Sequence, residues 1–166
     1  KRLKSGKGLN SGGRFVLRDQ KPLHPGKLAR CLVDMTVPEW LRLLNSKVFF
    51  WPTWSRCEEL LRARAYRDSA HTVIEVDTAR LIERHGSRVS LSSINAGSVL
   101  YDPPLRGRST FIPLAQAPLD DWRRRRGRGK AVAEVAVEYS VPDMASLVRS
   151  VRRVGPGEWE EPAIRT

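Results

Sequence analysis

The chain has 166 residues, 40% of them hydrophobic, which suits one domain with a real core. Lys and Arg number 30 against 18 Asp and Glu, and the formal net charge of +12 points to nucleic acid, an acidic protein or an anionic membrane surface as partner. No apolar run approaches the length of a membrane span and no signal-peptide pattern is read, so membrane insertion is excluded and a cytoplasmic location is expected.

Residues 1–14, "KRLKSGKGLNSGGR", carry few apolar side chains and read as a flexible basic arm. The stretch "GLNSGGRF" lacks the Gly-Lys-Ser/Thr ending of a phosphate loop and follows no strand. "RFVLRDQ" (14–20) reads as a short strand, ended by the turn-prone "KPLHPG". "GKLARCLVDM" reads as a short helix. "TVPEWLRLLN" is a clearer one, with Thr36 as N-cap, Glu39 completing a capping box and Pro38 in the first turn. "KVFFW" (47–51) is a continuous apolar run closed by Pro52, the pattern of a buried central strand.

"SRCEELLRARAYR" reads as a helix with Ser55 and Glu58 as a capping box. "HTVIEVDT" (71–78) is a strand, and "TARLIERHG" a helix closed by Gly86. "RVSLSS" and "STFIPLA" read as strands joined by a long loop. "LDDWRRRRGRGK" reads as a loop and "AVAEVAVEYS" (131–140) as the last long strand. "PDMASLVRSV" makes a short helix, and residues 155–166 fall in a polar tail. Because strands and helices do not alternate regularly, the expected fold is α+β in one domain spanning 15–154.

The scattered His24, His71 and His85 and the two cysteines, Cys31 and Cys57, have no metal-ligand spacing, so no metal is expected. A nucleophile elbow is also absent. Arg123, Arg124, Arg125 and Arg126, with Arg128 and Lys130, form the strongest charge feature. Such a run is either a solvated loop or a set of phosphate contacts with salt-dependent affinity. Trp122 stands directly before the run. Phe49, Phe50, Trp51 and Trp54 read as core, except that the two tryptophans flank a Pro at a strand end, where pockets open. Alternation along 132–138 puts Val132, Glu134, Ala136 and Glu138 on one face. That face is either solvated or the lining of a cleft in which Glu134 meets developing positive charge.

The segment "VAEVAVEYSVPDMASLVRSVRRV" resembles the C-terminal end of the DarT-type DNA ADP-ribosyltransferase toxins. In that family a strand beginning with an Ala-Glu pair carries the catalytic Glu, followed by a turn with Pro, a short helix and a final strand. Here the pair is Ala133-Glu134 and the Pro is Pro142. "KVFFW" resembles the family's aromatic strand in the NAD cleft, and Arg18 in "RFVLRDQ" is the match for a catalytic arginine. Through "RDQ", "LNSKVFFW", "RARAYR", "VDTARL" and "RGRSTF" the chain also resembles small bacterial proteins without an assigned function.

The resemblance implies an ADP-ribosyltransferase-like split β-sheet with flanking helices. Glu134 and Arg18 would be catalytic, and Phe50, Trp51 and Tyr66 would contact NAD as co-substrate. The reaction implied is ADP-ribosyl transfer to a nucleic acid, DNA or RNA, recognised by the arginine-rich segment just before the catalytic strand, with Trp122 to stack a base. The family's first strand carries a His and Thr motif that grips NAD, and neither residue type precedes Arg18 here. Either that strand lies upstream of Lys1, or NAD is not held in the family's way. The competing expectations are a nucleic-acid-binding domain without chemistry and a module that docks an acidic protein.

Overall fold

Side-chain caps set the starts of the first four α-helices. The computed structural model describes residues 23–99 and 102–157, together with the backbone of Leu9–Asn10 and Gly13–Arg14. Those two short pieces, β1 (Leu9–Asn10) and β2 (Gly13–Arg14), pair antiparallel inside the segment expected to be an arm. Arg18, with most of the strand expected at 14–20, lies outside the described residues, as does the tail beyond Gly157.

Helix α1 (Pro25–Cys31) is capped by His24, whose Nδ1 accepts from the Lys27 N–H at 3.3 Å. Helix α2 (Val37–Asn45) starts as its sequence indicates. Thr36 Oγ1 accepts from the Glu39 N–H at 3.4 Å, and Glu39 Oε2 accepts from the Thr36 N–H at 2.8 Å. Strand β3 (Lys47–Phe50) follows, and then α3 (Trp54–Leu61). Thr53, not Ser55, caps α3 by accepting from the Arg56 N–H at 3.3 Å, so Ser55 already lies inside the first turn. The helix stops at Leu61 and the chain runs through turns to Ser69, so "RARAYR" is not helical.

Strand β4 (His71–Val76) leads into α4 (Thr78–His85), which Asp77 caps by accepting from the Arg80 N–H at 3.0 Å. Then come β5 (Val89–Ser92), β6 (Ile112–Pro113), α5 (Leu119–Arg126), β7 (Glu134–Glu138), α6 (Met144–Leu147) and β8 (Val148–Val154). The segment expected to be an arginine loop is therefore largely a helix. Asp120 and Asp121 in its first turn and four arginines in its last both suit the helix dipole, and the two groups pair along the helix.

Four strands form an antiparallel sheet in the order β3-β7-β5-β6, and β4 pairs with β8 in a separate two-stranded sheet. The chain is thus a single α+β domain. Among the described strands β3 lies at the edge of this sheet rather than at its centre, and β7 and β5 are the inner strands. Its unbroken apolar run arises because helices and loops cover both faces. Phe49 packs in the cluster of Leu28, Trp40, Ala96, Phe111 and Ala136. Val48 and Phe50 pack on the opposite face with Leu81, Val89, Val137 and Leu147. Val132 joins that second cluster with Val135, because regular strand geometry begins only at Glu134. It therefore does not share the Glu134 face.

A polar clamp ties α4 to α6. His85 Nε2 lies 2.7 Å from Asp143 Oδ1, and Arg88 Nη2 lies 2.6 Å from His85 Nδ1. A guanidinium only donates, so Nδ1 accepts and Nε2 carries the hydrogen given to Asp143. Arg84 Nη1 reaches Asp143 Oδ2 at 3.0 Å, and Arg84 is the main cause holding that carboxyl below its usual range. Elsewhere His71 Nε2 donates to the Tyr66 carbonyl at 2.7 Å. Among the described residues no helix is long and apolar enough to cross a membrane.

Candidate active site

Glu134 is the first residue of β7, held between two neighbours. Ser92 of β5 stands opposite it, and Phe50 of β3 stands opposite Val135. Trp51, one step beyond β3 and 43% exposed, therefore continues that strand toward the level of Glu134. Strand alternation turns Phe50 to the other face, into the cluster with Val135, so it does not share the face of the carboxyl.

The loop after β5 folds back over Glu134. Ser92 Oγ organises its start, donating to the Ile94 carbonyl at 2.9 Å and accepting from the Ile94 N–H at 3.2 Å. Two residues later the Ala96 N–H donates to Glu134 Oε2 at 3.1 Å. Burial pushes the Glu134 carboxyl up to about 7; the Ala96 hydrogen bond, then Arg106 and Arg56, pull the other way. Both protonation states are thus populated near neutral pH, the condition for a group that takes and returns protons.

Arg106 lies under the same loop and is only 2% exposed. Its Nη1 donates to the carbonyls of Ala96 at 3.0 Å and Ser98 at 2.8 Å, and its Nε to Pro104 at 3.2 Å. Its backbone is fixed as well, with its N–H on the Cys31 carbonyl at 2.8 Å and its own carbonyl accepting from Val33 at 3.1 Å. Sequence reasoning passed over this residue. It sits in a loop without periodicity, and a lone arginine after "DPPL" carries no pattern that separates it from a surface charge. A cavity of about 350 Å³ adjoins it, with Ser93, Ile94, Ser109, Thr110 and Trp122 among its walls.

Helix α5 brings the arginines to this end of the sheet. Arg126 Nη1 donates to the carbonyl of Ser93, next to the partner of Glu134. Arg123 pairs with Asp120 at 3.0 Å, and Arg124 and Arg125 pair with Asp121 at 3.7 and 3.1 Å. Arg128 and Lys130 follow in a short exposed turn, and the Lys130 carbonyl accepts from Arg56 Nη2 at 3.2 Å. Trp122 is half-buried, packing into the second core cluster while forming part of the cavity wall.

Tyr66 packs edge-on against His71 at the start of β4, with ring centroids 5.7 Å apart. Glu138, at the far end of β7, is paired with Lys47. The structure therefore brings the backbone of Trp51 level with Glu134 and seats Arg126 on Ser93, beside a cavity that Trp122 also lines, while Arg123, Arg124 and Arg125 pair along their own helix. Phe50 points into the opposite core. Among the described residues no group of three or more His, Cys, Asp or Glu could hold a metal ion.

No curated protein and no solved structure matches the chain. Residues 2–148 match a family of unknown function, DUF7002. That match spans most of the sequence, and the chain belongs to the DUF7002 family.

Proposed function

We propose that this domain transfers ADP-ribose from NAD to a nucleic acid, on an ADP-ribosyltransferase-like split sheet formed by the four-stranded and two-stranded sheets. The observation that carries the reading is one carboxyl poised near neutrality, Glu134, at the sheet end where a polyarginine helix docks. The order of elements also supports it: a strand starting at Glu134, a turn with Pro142, the short α6 and the final β8 follow the likeness to DarT-type toxins.

In this reaction the bond between the ribose anomeric carbon and nicotinamide breaks, and nicotinamide leaves with the electron pair. A nucleophilic oxygen or nitrogen of the acceptor forms the new bond to that carbon, and its proton passes to a base. Ionised Glu134 faces the charge that builds on the ribose, or accepts the acceptor's proton. Trp51 would flank the nicotinamide end, with Tyr66 as a further cofactor contact and Arg18 as a pyrophosphate or ribose contact; Phe50, packed in the opposite core, would only support that strand end. Arg123 to Arg126, Arg128 and Lys130 would neutralise phosphates. The reading takes a cytoplasmic location, where NAD and nucleic acid are both present.

The test is labelled NAD with DNA and RNA of mixed sequence and the full natural protein. Label on either polymer, lost in Glu134→Gln, supports the proposal. No label, with NAD binding undetectable by calorimetry, overturns it. The second reading, a nucleic-acid-binding domain without chemistry, then stands on the exposed α5 charges alone. An acidic protein would be the partner if neither polymer binds.

A further inference from the structure

We propose that Arg106 is a positioning residue for Glu134, acting through the main chain of Ala96. The two side chains meet on that one residue. Arg106 Nη1 holds the Ala96 carbonyl at 3.0 Å, and the Ala96 N–H holds Glu134 Oε2 at 3.1 Å. Ala96 and Val99 anchor the loop in the first core cluster, and the backbone between them is turned by hydrogen bonds. Ala96 and Gly97 lie in a turn, and Gly97 N–H is held by Asn95 Oδ1 at 3.1 Å. Arg106 clamps both sides of that turn by taking the Ala96 and Ser98 carbonyls with one nitrogen.

Several observations argue against a purely architectural arginine. A buried guanidinium that only tied a loop would be costly to keep charged, because desolvation disfavours the ion. Burial does lower the proton affinity of Arg106, and the opposing influences include Glu134. Its Nη2 is buried with no hydrogen-bond partner among the described residues. The charge therefore stays close to a carboxyl without neutralising it in a direct ion pair. That arrangement orients Glu134 and tempers the rise that burial alone would cause, while leaving its oxygens for other partners. Arg56, from α3, is the second cation acting on Glu134, and the Cys31 thiol interacts with Arg106 from the first core cluster. The inference does not depend on NAD or on the acceptor.

The experiment is a ¹³C titration of the Glu134 carboxyl, with the Ala96 amide followed in the same samples. In the unaltered protein the Ala96 amide shift should change with pH at the midpoint of Glu134, because it reports that hydrogen bond. An Ala96 amide indifferent to pH between 5 and 9, on the order of two units either side of the midpoint, overturns the proposal without any variant. In Arg106→Met the Glu134 midpoint should rise by about one unit, and the Ala96 amide should stop following it. Arg106→Lys keeps the charge but not the fork, so it should restore most of the midpoint and little of the amide response. A folded Arg106→Met that titrates Glu134 at the original midpoint also overturns the proposal.

Discussion

Glu134 and Arg126 converge on consecutive residues of one strand end. Glu134 faces Ser92 in the register of β5 and β7, and Arg126 donates to the carbonyl of Ser93. A cationic helix and a half-buried carboxyl are thereby fixed side by side. A polyanion held by the helix, as the proposed function requires, would lie at the carboxyl's end of the sheet.

The first prediction concerns stability and pH. The folded Glu134 carboxyl binds its proton at about 7, and the unfolded chain only near 4.5. Between those values the folded state holds more protons, so stability falls as pH rises through that window and levels off above it. Glu134→Gln removes the slope. It should be more stable than the unaltered protein at pH 8, by about 3 kcal/mol at most, and nearly equal at pH 4.5. Urea unfolding at the two pH values checks this; equal differences at both would sink it.

The second concerns rate. If ionised Glu134 serves transfer, the rate should climb through pH 7 and flatten above it. Glu134→Gln should lower turnover by about 10²–10³ while leaving nucleic-acid affinity nearly intact. Glu138→Gln should cost far less, since Glu138 is occupied with Lys47 at the other end of the strand. A flat pH profile from 6 to 8, about one unit either side of the midpoint, would contradict the assignment.

The third concerns the helix charges. Alanine at Arg123 to Arg126 should weaken binding to duplex and lower the log–log salt slope by about 0.9 per lost phosphate contact. The reverse change is more telling. Asp120→Asn with Asp121→Asn frees Arg123, Arg124 and Arg125 from their carboxylates. That double variant should bind more tightly at low salt, with helix stability reduced by about 0.3–1 kcal/mol per charge. Unchanged affinity in both variants, measured by anisotropy, would mean that the arginines meet only solvent.

The fourth concerns the loop that carries Arg106. A Cβ on Gly107 would stand 2.0 Å from Asp34 Oδ1, which accepts from the Arg108 N–H at 3.0 Å. Gly107→Ala must displace Asp34, so thermal unfolding should occur several degrees lower, by about 2–4 °C per kcal/mol lost in a domain of this size. A melting temperature within error of the original would show that Asp34 moves aside freely.

Local signals in the sequence were readable where one short stretch decides the outcome. Thr36 and Glu39 write the start of α2 between them, and the alternation around Glu134 marks a strand. What escaped was anything set by distant pairing. "KVFFW" looks central because it is apolar throughout, yet its place at the edge depends on which strand lies beyond it. The arginine run looks like a loop until Asp120 and Asp121 are counted as its partners one turn away. Arg106 is invisible for the same reason, since its role comes from carbonyls of residues in the loop before it and from the Cys31–Val33 backbone.

The three histidines have a joint consequence. His24 is spent on a helix start, His71 on a turn carbonyl, and His85 on Asp143 and Arg88 with both ring nitrogens engaged. Imidazole is the group proteins most often turn to for moving protons at physiological pH. Here each ring holds backbone or a neighbouring side chain in place, so in the proposed transfer the proton would fall to a glutamate displaced from its ordinary range.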